Sequence, residues 1–539
     1  MPNKLFIIVL AGLCLGIYAG YLGNDFVFDD QVLVEQNPLI KSAKLLPAVF
    51  KTEIYEYWSG PQSFDRMYRP LQMLSYFLDY RLWGNLPAGF RLTNLFLHLI
   101  NAVLVFYLLS VLFKNRLLAQ CSSILFLVHP VQISVVAYIS SRGDILSGLF
   151  ILAACILFLR FLDGSHYLFF SLSLLASLGA FLSRENAIFI GIFLALVGFY
   201  HGGLKRRYGV IAGFLALTFF YFVLRLLVFG GSGLALHPNA LSGLARAVNG
   251  YNLFLRYVFL LLFPHDLGMF HTTPFIHKIT ALDFGFLVCG LFVLAVFLSF
   301  WKRLNLSFRI LTFGSLWFIL GLLPAYFYFD AYPALGRALM AESWLYLPSI
   351  GFLVIAVSLG LSSKTGKLIL LALAIIFAFI TAASRADWRN NAVFYERITR
   401  FLPDDNIIQK NLAAAYIQDG DFDRAVAVIR RLEKYYPDTP VTEGLWGQYY
   451  LARGSCALAL EHFNRILVKN FFTNYLVSLC YAKMHNLDQS VAYSRLSLKQ
   501  NGLYRPNIIH LAMLLESAGQ TEESGKFLLL AQELDPKQR

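Results

Sequence analysis

Two adjacent carboxylates follow the first apolar run of the chain. Asp29 and Asp30 end the sequence FVFDD, a few residues after a hydrophobic stretch that finishes near residue 23. Charged groups beside a bilayer are costly unless they are paired or used. A carboxylate in this position could act as a general base that takes the proton of an attacking hydroxyl group. The structural alternative is that one aspartate caps a following helix, since aspartate is a favoured N-cap residue.

Further charged and polar candidates recur in the short segments between later apolar runs. They are Arg69 in YRPL, His129 in HPV, Arg142 and Asp144 in SRGD, Arg184 and Glu185 in SREN, and Arg337 and Glu342. Guanidinium groups stay charged and bind phosphate through paired hydrogen bonds, so the arginines suit an anionic lipid-phosphate donor. Any one of these side chains could instead snorkel or pair locally. Their recurrence at the same ends of several apolar runs indicates that they surround one cavity.

Composition and apolar patterning predict an integral membrane protein. The 539 residues are 58% hydrophobic and 14% charged, whereas soluble domains are about 45–50% apolar and about 25% charged. A membrane span needs about 20 mostly apolar residues. We expect eleven spans, at 4–23, 89–113, 117–138, 143–163, 166–183, 185–203, 209–230, 281–301, 307–329, 340–360 and 367–384. Residues 251–264 are too short and carry Arg256, so we expect an interfacial or re-entrant segment there.

The positions of lysine and arginine predict the orientation of these spans. The net charge of +13 is spread over short basic clusters between apolar runs. This arrangement suits the positive-inside rule and anionic headgroups better than a nucleic-acid groove, so no nucleic acid is expected as a partner. The clusters share one side, which places the N-terminus in the cytoplasm and the C-terminus outside. The first outer loop, 24–88, then carries the acidic pair. The short loops favour a multi-pass protein of a prokaryotic inner membrane.

After residue 386 the chain becomes polar and its pattern is helical. Matching residues recur 34 positions apart: Tyr416 with Tyr450, Gly420 with Gly454, and Ala425 with Ala459. This period is typical of tetratricopeptide repeats, in which small residues let paired helices pack closely. We expect about four repeats, stacked into an α-solenoid that binds a protein or peptide. The predicted architecture is all-α, with a membrane domain at 1–386, a linker at 387–404 and the repeat domain at 405–539.

No metal site is predicted from the cysteines, histidines or acidic residues. Four of the six cysteines lie inside apolar runs, and no CxxC pair or His/Cys cluster has the spacing of metal ligands. Acidic residues could hold a divalent cation, but no spacing requires one.

Taken in order, the polar motifs resemble those of a known family. FVFDD followed by NP, then YRPL, HPV, SRGD, SREN and AESWLYLPSIGF, with C-terminal repeats, are similar to the transmembrane and tetratricopeptide-repeat O-mannosyltransferases and their bacterial relatives. The resemblance covers most of the membrane part and the repeats. It implies the GT-C fold of glycosyltransferases that use a polyprenyl-phosphate-linked sugar as donor.

The resemblance also implies roles for individual residues. Asp29 or Asp30 would be the base that faces the acceptor, with Asp30 preferred. The donor phosphate would be bound by Arg69, Arg142 and Arg184. Four further residues would contact the sugar or support the side chains that bind the substrate: His129, Asp144, Glu185 and Glu342. Relatives carry an arginine after Ala-Glu where this chain has Ser343, so Arg337 is the candidate replacement.

Two functions are compatible with these observations. The first is an inverting glycosyltransferase that moves a sugar, with mannose as the expected one, from a polyprenyl phosphate to an extracytoplasmic protein hydroxyl. The second is a non-catalytic, membrane-anchored scaffold whose repeats bind envelope or lumenal proteins. For the enzyme we expect short amphipathic helices in the 24–88 loop, one of them packed through Leu71, Leu74, Phe77 and Leu78.

Overall fold

The structure is a computed structural model that describes residues 4–59, 67–164, 166–202, 209–229, 241, 243–276, 308–329, 337–403, 405–437 and 439–537. Most of these residues are helical. Within the described ranges, one sheet is present, formed by the antiparallel strands Phe270–Pro274 (β1) and Arg337–Ala341 (β2). The expected span at 281–301 lies outside the described residues.

The helices before residue 387 are α1 (Lys4–Tyr18), α2 (Glu56–Ser59), α3 (Pro70–Trp83), α4 (Pro87–Phe113), α5 (Arg116–Val128), α6 (Ile133–Val136), α7 (Arg142–Gly164), α8 (Tyr167–Ser183), α9 (Ile190–His201), α10 (Gly209–Phe229), α11 (Gly243–Leu262), α12 (Phe308–Tyr328), α13 (Ser349–Leu361) and α14 (Lys364–Ala383). The later helices are α15 (Asn391–Thr399), α16 (Asn406–Asp419), α17 (Phe422–Tyr435), α18 (Pro440–Ala452), α19 (Cys456–Arg465), α20 (Phe471–Lys483), α21 (Leu487–Gln500), α22 (Arg505–Ser517) and α23 (Thr521–Leu534). The all-α membrane architecture with a C-terminal solenoid confirms the predicted fold class.

The chain forms two compact units. The first, called the membrane unit, comprises Met1–Asn24, Arg66–Gln72 and Pro87–Ala386. The second, called the repeat unit, comprises Asp25–Asp65, Met73–Leu86 and Asp387–Arg539. Most of the 24–88 loop therefore belongs to the repeat unit, and the segment 387–404, expected as a linker, contains α15.

Several helices are long and apolar enough to cross a bilayer. Among the described residues six qualify: Lys4–Gly23, Pro87–Phe113, Ile139–Gly164, Val210–Phe229, Phe308–Phe327 and Lys364–Trp388. A seventh results if Arg116–Val128 and Pro130–Val136, which are bent by 52°, count as one broken span. The chain is therefore a multi-span membrane protein, although the described helices contain fewer full-length spans than the eleven expected.

The remaining expected spans differ from the observed elements in length or type. Shorter apolar helices occupy Tyr167–Ser183, Glu185–His201 and Ser349–Leu361. The expected span at 340–360 is helical only from Ser349, because its first residues pair as β2 and then form a 3-10 turn. Most of the segment expected at 251–264 belongs to the 20-residue helix α11, which begins at Gly243 and ends at Leu262.

Close helix packing in the membrane unit depends on glycines. A methyl group on Gly351 of α13 would lie 2.3 Å from the carbonyl oxygen of Gly314 in α12. Small residues permit this close approach, which supplies van der Waals contact between membrane helices. Next to this crossing, a methyl group on Gly321 would lie 2.8 Å from Pro348. The segment that precedes α13 is therefore held tightly against α12.

In the repeat unit, α16 to α23 pack as four consecutive helix pairs. The spaced small residues have identifiable functions in this packing. Gly420 ends α16 with φ of +76°, a left-handed conformation that glycine adopts without strain. Gly447 lies so close to the Phe463 ring that a methyl group would come within 2.4 Å of it. Both positions belong to the 34-residue pattern, in which Gly420 matches Gly454 and Ala413 matches Gly447.

Candidate functional site

The acidic pair lies in the repeat unit, where its two carboxylates differ in exposure. Asp30 is fully buried, whereas Asp29 is partly exposed. The Tyr55 hydroxyl donates a hydrogen bond of 2.7 Å to Asp29 Oδ2, and the Val27 N–H donates to Asp30 Oδ2 at 3.4 Å. Of the two carboxylates, Asp29 is the one that presents surface to a second molecule in this conformation.

Helix α15 fixes the backbone that precedes Asp29. Phe28 has φ of +54°, a left-handed conformation that is strained for a bulky residue. Its N–H donates to Asn391 Oδ1 at 2.8 Å, and its ring packs against Phe394 and Tyr395 with centroid distances of 5.8 and 6.1 Å. Such strain persists where surrounding contacts impose it, and it is common at functional sites.

Asp29 also influences a second tyrosine, and Asp30 does not serve as a cap. Burial, followed by the nearby Asp29 charge, raises the pKa of the Tyr395 hydroxyl. Asp30 occupies the N-cap position of the turn Gln31–Glu35 but makes no side-chain hydrogen bond to it. The capping alternative therefore does not account for Asp30.

The membrane unit brings four candidate residues together in two ion pairs. Arg184 Nη1 lies 2.5 Å from Asp144 Oδ2, and Arg69 Nε lies 3.0 Å from Glu185 Oε2. Their side chains are between 9% and 14% exposed, so water screens these charges weakly. Asp144 also interacts electrostatically with Arg69 and Glu185, so the two pairs form one cluster.

A third arginine belongs to this cluster. Arg225 of α10 interacts electrostatically with Glu185 and with Tyr221. Among the described residues of the cluster, three arginines therefore accompany two carboxylates. Sequence reasoning missed Arg225 because it lies inside an apolar run, although an ionisable residue within a span is itself a signal of function.

A cavity of about 50 Å³ lies beside the Asp144–Arg184 pair. Its described lining includes Asp144, Arg184, Phe189, Ser343 and Trp344. This volume is large enough to hold ordered water. Ser343 thus lines the same cavity as the buried ion pair.

Arg142 is buried close to this cluster but is not among the described residues that line the cavity. Its Nε donates to Asn94 Oδ1 and its Nη2 donates to the Phe90 carbonyl, both at 2.7 Å. These acceptors are neutral and lie on α4, whereas Arg142 begins α7. The described contacts of Arg142 join two helices.

Glu342 and Arg337 lie at opposite ends of the β2 region. Glu342 is buried, and its Oε1 accepts from the Gly268 N–H at 2.7 Å and contacts His271 Nε2 at 2.8 Å. These bonds tie the end of β2 to the segment around β1 and so orient the next residue, Ser343. Arg337 is half-buried at the start of β2, opposite Pro274.

His129 has a structural position at the break after α5. Its Nδ1 accepts from the Val131 N–H at 3.3 Å, and its Nε2 lies 3.0 Å from the Leu261 carbonyl oxygen. A neutral ring with the proton on Nε2 satisfies both contacts. His129 is fully buried and does not join the arginine cluster.

Sequence reasoning also missed a polar network inside the membrane unit. The Tyr346 hydroxyl lies 2.9 Å from His98 Nδ1 and accepts from Asn101 Nδ2 at 2.8 Å. Tyr346 also lines the cavity beside Asp144. The network therefore connects one cavity wall to α4. Among the described residues, no group of three or more His, Cys, Asp or Glu side chains could hold a metal ion.

Sequence comparison with known proteins relates the chain to one group of proteins. The chain is 26% identical over 430 residues to the protein O-mannosyl-transferase F38B6.6 of Caenorhabditis elegans, a match that covers 77% of this chain and 60% of that protein. The chain is similar to protein O-mannosyl-transferases. Two others are TMTC1 of Mus musculus, 35% identical, and TMTC3 of Homo sapiens, 30% identical, each over 157 residues. The resemblance that the motifs predicted is confirmed.

The extent of these matches differs between relatives. The chain spans 60% of the length of the nematode protein O-mannosyl-transferase and 17% of each of the two mammalian ones. No family model matches the chain. Among solved structures, MamA 41-end from Desulfovibrio magneticus RS-1 is 17% identical, covers 27% of this chain and 85% of its own, and has a TM-score of 0.23.

Proposed function

We propose that the chain is a glycosyltransferase that moves a sugar, with mannose as the first candidate, from a polyprenyl-phosphate donor to the hydroxyl group of an extracytoplasmic protein. The observation that carries this proposal is the buried cluster of the membrane unit, whose described residues include more arginines than carboxylates and lie beside a cavity. Such a positive and weakly screened site suits an anionic phosphate. Similarity to proteins named O-mannosyl-transferases supports the transfer of a sugar.

In the proposed reaction, Asp29 takes the proton of the acceptor hydroxyl while the hydroxyl oxygen attacks the anomeric carbon of the sugar. The new carbon–oxygen bond forms as the bond between that carbon and the phosphate oxygen breaks. Polyprenyl phosphate leaves with the bonding electrons, and the anomeric configuration is inverted. Phosphate is a good leaving group, so stabilisation of its charge by arginine supplies most of the remaining catalysis.

We assign the base to Asp29 and not to Asp30, which the sequence had favoured. A base must come within hydrogen-bonding distance of the proton that it removes. Asp29 is partly exposed, whereas Asp30 is fully buried and accepts from the local Val27 N–H. In this assignment Asp30 stabilises the turn that presents Asp29.

We assign donor-phosphate binding first to Arg184, because it lines the cavity. Arg69 would support it through Glu185, with which it pairs in the same cluster. Asp144 would orient Arg184. Ser343 lines this cavity without a charge, so Arg184 would carry the phosphate contact that an arginine at position 343 could otherwise supply.

The proposal includes an orientation in the membrane. The N-terminus would lie in the cytoplasm and the repeats outside it, because the basic clusters share one side in the predicted topology. The short loops favour a prokaryotic inner membrane as the location. The repeats, proposed at 405–539, would bind the protein acceptor. The membrane domain would end near 386.

Transfer of labelled mannose by the purified full chain in lipid nanodiscs tests this proposal. We expect transfer to a protein acceptor from polyprenyl-phosphate mannose and not from a nucleotide sugar. Absence of both transfer and donor hydrolysis, under conditions in which a related protein O-mannosyl-transferase works, would contradict the proposal. That outcome would favour the scaffold alternative.

A further inference from the structure

An aromatic side chain of the first loop packs against aromatic residues of the repeat helices. The Trp58 ring packs edge-on against Phe471 at a centroid distance of 5.2 Å and against Tyr504 at 6.2 Å. It also contacts Phe472 at 6.3 Å. Phe471 begins α20, and Tyr504 precedes α22, so the contact involves the third and fourth helix pairs. Edge-on aromatic pairs of this kind add stability beyond the area that they bury.

A hydrogen bond fixes the same loop segment to the repeats. Asn501 Nδ2 donates to the Tyr57 carbonyl oxygen at 3.0 Å in a buried position. The backbone N–H of Trp58 donates to the Tyr55 carbonyl oxygen at 2.9 Å. Residues 55–58 therefore form one closed turn, here called the 55–58 turn. Its position is determined by the repeat helices on one side.

On its other side, the 55–58 turn reaches the acidic pair. The Tyr55 hydroxyl donates to Asp29 Oδ2 at 2.7 Å. Asp29 is also confined by α15, because the preceding Phe28 is bound through Asn391. A continuous series of short contacts therefore leads from Asn501 and Trp58 through Tyr55 to the carboxylate of Asp29.

We propose that Tyr55 is a positioning residue for the base Asp29, and that the third and fourth helix pairs hold Tyr55 in place through the 55–58 turn. This inference rests on the proposed function of Asp29. It gives the repeats a role within the reaction itself, in addition to any binding of the acceptor protein. The orientation of the base then depends on intact packing at Trp58.

Tyr55→Phe removes the hydroxyl that donates to Asp29 and keeps the ring. We expect kcat for sugar transfer to fall roughly 10-fold to 100-fold, as for loss of a hydrogen bond to a charged group, while the donor KM is unchanged. The acidic limb of the pH–rate profile should move to higher pH, because the charged carboxylate loses a donor. Tyr57→Phe is the matched control, since its buried hydroxyl has no hydrogen-bond partner among the described residues.

Hydrogen–deuterium exchange tests the connection to the repeats without any measurement of activity. The Val32 and Leu33 amides donate to the Asp29 carbonyl at 3.1 and 2.7 Å. Trp58→Ala should accelerate their exchange, and Trp58→Phe should restore most of the protection. Leu467→Ala is the control, because this repeat-unit side chain is 96% exposed.

The outcomes separate this inference from the proposed function. If the wild type transfers sugar and Tyr55→Phe matches Tyr57→Phe in kcat and pH profile, the positioning role is overturned. Unchanged exchange in Trp58→Ala would overturn the role of the repeats. If the wild type transfers no sugar, the function of Asp29 fails and the role of Tyr55 fails with it, whereas the exchange experiment still decides the connection between the repeats and the turn.

Discussion

Arg184 Nη1 lies 2.5 Å from Asp144 Oδ2, although the two residues are 40 positions apart in the chain. Both side chains are largely buried. Removing one member of a buried pair leaves an uncompensated charge, which costs more than the pair itself contributes. The pair therefore links the stability of the membrane unit to the arginine that we assign to the donor phosphate.

Arg184→Met should destabilise the full chain by about 3–5 kcal/mol, because Asp144 would remain buried without this partner. The double variant Arg184→Met with Asp144→Asn should recover part of that loss, since the charge is then removed. Thermal unfolding midpoints in the same detergent measure both effects. An Arg184→Met variant as stable as the wild type would show that the ion pair is not formed.

Lys41 and Lys44 provide a matched comparison in the repeat unit. Lys41 Nζ lies 3.0 Å from Asp535 Oδ2 in a buried pair, with side chains 7% and 1% exposed. Burial alone would raise the pKa of Asp535, but the hydrogen bond from Tyr80 and the Lys41 charge outweigh it, so the pKa is lowered overall. The stabilisation that this carboxylate contributes is therefore complete above its ordinary pKa and is lost as pH falls through the lowered value.

Lys41→Met should cost about 3–5 kcal/mol, because Asp535 loses its partner in a buried position. Lys44 binds Glu533 in an exposed pair, with side chains 73% and 52% exposed, so Lys44→Met should cost about 0–1 kcal/mol. Thermal unfolding of the two variants gives the comparison. Equal losses would contradict the distinction between the buried and the exposed pair.

Gly351→Ala should destabilise the membrane unit by about 1–3 kcal/mol through overpacking. The added methyl group would lie 2.3 Å from the Gly314 carbonyl oxygen and 2.7 Å from the Phe318 nitrogen, and backbone atoms cannot give way without moving a helix. Gly12→Ala serves as the control, because nothing lies within 4 Å of its added methyl group. The prediction fails if the unfolding midpoint of Gly351→Ala is no lower than that of Gly12→Ala.

His510 should make the repeat unit sensitive to mild acid. Burial lowers the pKa of His510 from its ordinary 6.5, and the contact with Ser478 offsets this only in part. The unfolded chain therefore binds a proton near pH 6.5 that the folded chain resists, so stability is full above this pH and declines below it. Between about one pH unit above and about one pH unit below this value, the unfolding midpoint should fall further for the wild type than for His510→Gln. Equal losses would exclude this histidine as the cause.

The repeats could be predicted from the sequence because their constraints are local and periodic. Gly420 is needed for a left-handed helix end, and Gly447 is needed beside the Phe463 ring. Asp144 and Arg184 were also conspicuous, since charges are rare in an apolar context. Such signals are visible in a short window of sequence.

Contacts between distant segments carry no such signal. Asn501 binds the Tyr57 carbonyl across 444 positions, so the assignment of the first loop to the repeat unit could not be inferred from local pattern. In α3 the expected packed stripe included Leu78, which is 54% exposed. The buried face instead includes Tyr76 and Tyr80, and the Tyr80 hydroxyl donates a hydrogen bond to Asp535.

The rate of sugar transfer by Asp29→Asn, compared with Asp25→Asn in the full chain, tests the central claim most directly. Both variants make the same chemical change, and Asp25 is an exposed carboxylate four positions earlier. A general base contributes about 10²–10⁴-fold to rate, so we predict a loss of at least about 100-fold for Asp29→Asn and a rate near that of the wild type for Asp25→Asn. Equal rates in the two variants and the wild type would contradict the assignment of Asp29 as the base.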